Sequence, residues 1–207
     1  MTLIQRGHQA RVHSRRVRVL AEHLGDLIPS GASVLDVGSG DGLLASVVLA
    51  RRPDLIWSAV DTLERPTTHV PVRLFDGRHL PFGDKQHDVV CFVDVLHHTD
   101  DPMVLLREAV RVARSALVIK DHLREGLAAG ATLRFMDWVG NASFGVSLPY
   151  NYWNAEQWAS ARRELDLRTE EERRALGLYP RWADWVFGRS LHFIARLGVP
   201  AGVPSSS

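Results

Sequence analysis

The stretch that most constrains this chain runs Ser-Val-Leu-Asp-Val-Gly-Ser-Gly-Asp-Gly from Ser33 to Gly42. Val34, Leu35 and Val37 make a short aliphatic run of the kind a buried parallel strand uses. Gly38, Gly40 and Gly42 follow at every second position, and Leu43 opens an apolar pattern with helical spacing. Strand, glycine turn and helix together aim backbone N–H groups and a helix N-terminus at a nucleotide-like ligand. With glycine in those slots, no Cβ keeps the ligand from the backbone. A glycine-rich turn alone is a modest signal, and the acidic residues that follow it at set intervals strengthen it.

Composition narrows the class. The 207 residues suffice for a single domain with a full core, which is the expected organisation over 1–207. Twenty-five basic and 24 acidic side chains leave a net charge of +1, which argues against a nucleic-acid binder with a strongly basic surface. The single cysteine, Cys91, lies inside an apolar run and reads as a buried structural thiol. No apolar stretch approaches the roughly 20 residues that span a bilayer, and the start carries no secretory signature, so a cytoplasmic location is expected.

Along the chain, residues 1–8 read as loosely held and 9–28 as one amphipathic helix ended by Pro29, Ser30 and Gly31. Strands are expected at 33–37, 56–60, 72–75, 88–95 and 116–120, with crossover helices at 43–52 and 103–113. A weak helix is expected over 62–70, although Pro66 and Pro71 count against it. Asp101 and Pro102 make a good cap and first-turn pair for the later helix. Strands alternating with helices predict an α/β, doubly wound, mostly parallel sheet with right-handed crossovers. The segment 123–153 interleaves glycines, aromatics and polar groups after a strand end, as a lid over a ligand site does. Asn154 opens a further helix, with Gln157 completing a capping box. The run 165–178 fits either a strand or a charged helix, 191–197 reads as a last strand, and 199–207 as a disordered tail.

Asp61 stands 19 residues after Gly42, at the end of the second strand, where a carboxylate can accept both hydroxyls of an adenosine ribose. Nicotinamide dinucleotides and S-adenosylmethionine both carry that ribose. The glycine spacing separates them in part, because the dinucleotide pattern G-x-G-x-x-G places its third glycine where Leu43 stands. Asp36 also meets the turn with a negative charge that a pyrophosphate would resist and the ammonium of an amino-acid end would not. Asp36 and Asp61 retain an alternative reading as turn caps.

At these residues the chain resembles the class I S-adenosylmethionine-dependent methyltransferases, especially the small-molecule group related to ubiquinone and menaquinone C-methyltransferases. The resemblance covers roughly residues 30–122. Asp36, Gly38, Gly40 and Gly42 match the family's acidic-x-Gly-x-Gly-x-Gly motif, and Asp61 resembles its ribose-binding acid. Asp76 and Gly77, followed by Leu80-Pro81-Phe82, resemble its adenine-contacting segment, although Asp-Gly is also a common turn pair. The phrase from Asp88 through Asp94-Val95-Leu96-His97-His98 to Asp101-Pro102 is similar to its fourth-strand motif. A Lys-Pro-Gly-Gly turn before the fifth strand is replaced by Ala113-Arg114-Ser115. The resemblance implies a seven-stranded Rossmann-like sheet with an antiparallel C-terminal strand. It also implies S-adenosyl-L-methionine as cofactor, held by Asp36, Gly38, Ser39, Gly40, Gly42, Asp61, Thr62, Asp76, Gly77 and Asp94.

Methyl transfer from a sulfonium is an in-line displacement, so alignment supplies much of the rate, roughly 7–11 kcal/mol. A base is needed only where the acceptor must lose a proton. His97 and His98, after strand four, and Asp121 and His122, at the end of strand five, are the candidates for that role. His98 also matches a family position where a histidine holds the loop. No metal site is expected from His97, His98, Asp100 and Asp101, because four neighbours in sequence cannot all point at one ion. The absence of an Asn-Pro-Pro-Tyr phrase and the near-zero charge favour a small acceptor over nucleic acid or protein. Trp138, Trp153, Trp158, Trp182 and Trp185 suggest an apolar or aromatic one, methylated on oxygen or carbon. Two other readings stand beside this: a methyltransferase-like donor-binding or partner protein without turnover, and an NAD-dependent oxidoreductase. Trp182, Trp185, Val186 and Phe187 offer a further reading as a face resting on a membrane.

Overall fold

The computed structural model describes residues 3–125, 151–178 and 191–200. Seven strands form one sheet: β1 (Ser33–Val37), β2 (Ile56–Asp61), β3 (Val72–Leu74), β4 (His87–Val93), β5 (Ala113–His122), β6 (Arg168–Arg173) and β7 (His192–Gly198). Their order is β3-β2-β1-β4-β5-β7-β6. Strand β7 runs antiparallel to both its neighbours, and every other pairing is parallel. The doubly wound expectation and its antiparallel late strand are both met.

Side chains alternate between the two faces of each strand, and the core divides accordingly. Val89 and Cys91 of β4 pack on one side with Leu20, Ala21 and Leu24 of α1 (Leu3–Leu27) and Val48 of α2 (Leu43–Arg51). Val90 and Phe92 pack on the other with Leu105, Leu106, Ala109 and Val112 of α3 (Pro102–Val112) and Trp158 of α4 (Ala155–Glu164). Burial on both faces is why β4 reads as a continuous apolar run. Each fully buried leucine in this face of α3 is worth about 1.5–3 kcal/mol of transfer free energy.

Three elements depart from the expectations, and one open reading is resolved. Helix α1 begins at Leu3, six residues before 9, since only Gly7 in that stretch opposes helix formation. No helix forms over 62–70; prolines break the pattern, and the loop folds against the glycine turn, with His69 N–H donating to the Asp41 carbonyl at 2.7 Å. Strand β5 extends beyond 116–120 at both ends, because α3 runs into it without a turn and β7 pairs with it as far as His122 opposite His192. The ambiguous run resolves as β6, an edge strand charged at every position but Thr169, a sequence that resists pairing with another sheet.

The helix opened by Asn154 has its capping box, with Gln157 N–H donating to Asn154 Oδ1 at 2.9 Å and Asn154 N–H to Gln157 Oε1 at 3.0 Å. Most of the expected lid (126–150), the tail beyond Pro200, and Trp138, Trp182, Trp185, Val186 and Phe187 lie outside the described residues. Among the described residues no helix is long and apolar enough to cross a membrane.

Candidate functional site

Strand order reverses between β1 and β4, and the crevice outside the carboxyl ends of these strands is where open α/β sheets bind ligands. The glycine turn reaches it through Gly38. Gly38 and Ser39 donate their N–H groups to the Val60 carbonyl at 2.8 and 3.1 Å, which pins the turn to the end of β2. Gly38 takes φ +75° beneath Val95, and a Cβ there would lie 2.5 Å from a Val95 methyl. Gly40 takes φ +64° with nothing within 4 Å of where a Cβ would stand, so its backbone faces open space. The first glycine therefore serves packing and the second leaves room for a ligand.

Asp61 braces this turn from below. Its Oδ2 accepts the Gly40 N–H at 2.7 Å and its Oδ1 the Leu63 N–H at 2.9 Å. A carboxylate offers about four lone-pair positions, so acceptor capacity remains for two ligand hydroxyls. Asp36 is buried behind the turn, and that burial pushes its carboxyl up to about 6, against the opposing effect of Ser39 and Trp57 and with a further push from the Asp61 charge. Asp76 closes the far wall. Its Oδ1 accepts from Arg78 N–H at 2.8 Å and His79 N–H at 2.7 Å, and the His79 ring lies 3.0 Å from Oδ2. These contacts, those of His79 first, hold its carboxyl down at about 2. Thr62, Asp76, Gly77, Gly38, Val95 and His98 are among the residues lining a crevice of about 560 Å³, within the usual range for small-molecule sites.

The sequence-predicted residues thus fall into two groups. Gly38, Thr62, Asp76 and Gly77 line the crevice, while Asp36, Ser39, Gly40, Gly42 and Asp61 belong to the adjoining turn and strand ends and do not line it. Asp94 is engaged elsewhere. It stands at φ +57° just past β4, ion-paired with Lys120 of β5 and with Arg16 of α1. Burial alone would raise its carboxyl, but the Lys120 and Arg16 charges outweigh that and hold it well below the usual range. Lys120, fully buried, is itself lowered by burial, against the pull of Asp94.

The two adjacent histidines part company. A short 3₁₀ turn, Leu96–His98, carries both, and its tight winding gives them different neighbours. His98 lines the crevice. His97 is buried and lies with its Nδ1 2.5 Å from Asp121 Oδ1, at the end of β5. Asp121 also accepts the Leu96 N–H at 3.1 Å and the His122 N–H at 2.7 Å. Burial would raise the Asp121 carboxyl, but His97 and His122 outweigh it and hold it low. His122 is pushed down to about 4, by burial first and then by the charges of Lys120 and His97. Of the four candidate catalytic residues, His98 alone lines the crevice.

The described end of the expected lid docks onto this cluster. Tyr152 stacks on His97 with ring centroids 5.2 Å apart, and Asn151 N–H donates to the His97 carbonyl at 3.1 Å. The Asn151 side chain bridges the carbonyls of Thr99 and Asp100. Sequence reasoning missed Arg16, Lys120, His192 and Tyr152. One signal was available: Lys120 ends the otherwise aliphatic run Ala116-Leu-Val-Ile, a costly position unless the charge is paired. Its pairing with Asp94 follows only from the register that sets Val93 beside Lys120. Nor do His97, His98, Asp100 and Asp101 assemble as a metal-ligand set; among the described residues the convergent set is His97, Asp121 and His122.

Comparison with known proteins agrees with this geometry. A family profile described as a methyltransferase domain matches residues 6–172. An uncharacterized methyltransferase of Mycobacterium sp. (strain KMS) is 35% identical over 91 residues, covering 42% of this chain and 36% of that protein. The 27-O-demethylrifamycin SV methyltransferase of Amycolatopsis mediterranei (strain S699) is 27% identical over 128 residues, covering 54% of this chain and 47% of that protein. The aligned stretches therefore span between about a third and a half of these curated relatives. In fold, the chain is similar to the methyltransferase of Haloferax volcanii solved with its Trm112 activator, with a TM-score of 0.67 at 16% identity over 95% of each chain.

Proposed function

The chain belongs to the methyltransferase-domain family, and from that premise we propose that it transfers a methyl group from S-adenosyl-L-methionine to oxygen or carbon of a small, apolar or aromatic molecule. The observation that carries this reading is the open backbone at Gly40, whose N–H is bonded to Asp61, in the same strand-end turn that contributes Gly38 to a crevice lined by Thr62, Asp76 and Gly77. These residues fit the donor: Asp61 has acceptor capacity left for ribose hydroxyls, and the space over Gly40 admits the amino-acid end. Gly77 and Thr62 bound the region left for the adenine, and the Asp36 carboxylate lies behind the turn where an ammonium would be attracted. When bound, the donor supplies an electrophilic methyl group on sulfur.

The chain's own residues then have three tasks. The glycine turn and Asp61 fix the donor's orientation, which is the main source of rate in a displacement of this kind. His98, which lines the crevice, offers a hydrogen-bonding edge to the acceptor. Segment 151–153, docked on the 95–100 turn, holds the backbone of the turn that carries His98. The relative named for a demethylated rifamycin supports a small-molecule acceptor. The Asp36 carboxylate behind the turn counts against a dinucleotide, whose pyrophosphate would meet it.

The experiment is a thermal-shift comparison of S-adenosylhomocysteine with NADH, followed by transfer of radiolabelled methyl to a panel of aromatic and polyketide-like acceptors. A shift with the first ligand only, and label in a small product, is the expected result. Stabilisation by NADH alone would overturn the donor assignment. Donor binding with no product across the panel would favour a binding protein that has lost turnover.

A further inference from the structure

Beside the crevice lies a group of side chains that donor binding does not use. His97 Nδ1, Asp121 Oδ1 and His122 Nδ1 converge from the turn after β4 and the last two residues of β5. His122 Nδ1 is 3.3 Å from Asp121 Oδ1 and 3.4 Å from His97 Nδ1. The third separation, His97 to Asp121, is 2.5 Å. All three side chains are buried, at 2%, 1% and 8% exposure. A tetrahedral ion bonded at about 2.0–2.1 Å keeps its ligand atoms about 3.3 Å apart, so two of the three separations already match. The third needs to widen by about 0.8 Å, within reach of a rotation about the soft terminal torsion of Asp121.

We propose that His97, Asp121 and His122 bind a divalent transition-metal ion, with zinc the best match. Two imidazole nitrogens and one carboxylate oxygen are a three-ligand zinc set, whereas magnesium and calcium take oxygen ligands almost throughout. A fourth position falls to water or to Asp94, whose Oδ1 lies 3.6 Å from His122 Nδ1. Lys120 and Arg16 bring positive charge towards this group, and Asp94, bonded to both, offsets one of the two charges. His192, 3.4 Å from Lys120 through its Nδ1, and Tyr152, stacked on His97, complete the surroundings. The ion would tie the turn after β4 to the end of β5 and so hold the loop that presents His98 to the crevice. This inference does not rest on methyl transfer, and its test reads the metal directly.

Purified full-length protein, stripped with a chelator, is titrated with Co²⁺ and then with Zn²⁺. The expected result is one equivalent of Co²⁺ with the intense visible bands of a tetrahedral ion, displaced by Zn²⁺, with a rise in unfolding temperature. His122→Ala, if folded by circular dichroism, loses those bands, and His69→Asn, at an exposed histidine, keeps them. Weak octahedral bands, binding below one equivalent, or bands intact in folded His122→Ala would overturn the proposal. Should His122→Ala not fold, imidazole ¹⁵N shifts of the unmutated chain decide. Zn²⁺ must move Nδ1 of both His97 and His122, and unmoved Nδ1 signals would leave a hydrogen-bonded cluster without a metal.

Discussion

The two sides of the site hold their carboxylates in different ways. On the donor side, Asp61 and Asp76 are satisfied mainly by backbone N–H groups of their own or neighbouring loops, within 21 residues in sequence. On the acceptor side, Asp94 is held by the charged side chains of Lys120 and Arg16, 26 and 78 residues away, and Asp121 by the His97 ring 24 residues away together with the N–H groups of Leu96 and His122. A carboxylate held by its own loop is rebuilt whenever the loop folds, and it stays available to a ligand. A carboxylate held by a buried lysine exists only in the finished sheet, and its partner becomes a liability without it. The first arrangement suits exchangeable ligand binding and the second suits a fixed frame.

Breaking the frame gives the largest effect. Asp94→Ala leaves the buried Lys120 uncompensated and is expected to cost about 3–5 kcal/mol in urea unfolding. The control is Glu156→Ala, at a pair 65% and 80% exposed, where no measurable change is expected. A small loss for Asp94→Ala would mean that Lys120 finds another partner or water, and the contrast between the two regions would fail.

The same contrast explains what was legible in the sequence. The donor side is written in contiguous stretches: Asp36 through Gly42 and Asp61 were located by their spacing, and Thr62 and Asp76-Gly77 by the resemblance of their short motifs to the family's. Their structural setting followed, with the glycine at 40 open and Asp61 bonded to it. On the acceptor side, His97, His98, Asp121, His122 and Asp94 were noticed, but their partners were not. That Asp94 meets Lys120 depends on β4–β5 register, and that Arg16 meets Asp94 depends on how α1 lies across the sheet. Extension of β5 to His122 came from pairing with β7, a strand 70 residues later, and no local propensity encodes it. The missing helix over 62–70 was a local error of a different kind: two prolines already argued against it.

A smaller effect sharpens the donor side. Asp36 has its carboxyl raised by burial to about 6, above the value near 3.8 of an unfolded chain. The folded chain therefore holds more protons between those values, so the stability this group contributes is full below about 3.8 and is lost as pH rises through about 6. Asp36→Asn removes that dependence, and its stability relative to the unmutated chain is expected to improve by up to about 3 kcal/mol between pH 4 and pH 8. Paired unfolding curves at the two pH values check it. A pH-independent difference would mean that Asp36 is not the buried acid described.

The smallest of these effects, though the closest to function, is on binding. On the proposed reading Asp61 binds the donor's ribose, so Asp61→Ala should weaken S-adenosylhomocysteine binding by about 1.5–3 kcal/mol in a calorimetric titration. Affinity unchanged by this substitution would place the ribose elsewhere.

The central claim, that the open backbone at Gly40 receives the donor, is tested most directly by titrating S-adenosylhomocysteine into the unmutated chain and into Gly40→Val. A valine there meets no protein atom in its first carbon but fills the space the ligand needs, at a left-handed φ that branched residues tolerate poorly. The account predicts one site per chain in the unmutated protein and at least a tenfold loss in folded Gly40→Val. Equal affinity in both, or no binding to the unmutated chain, would contradict it.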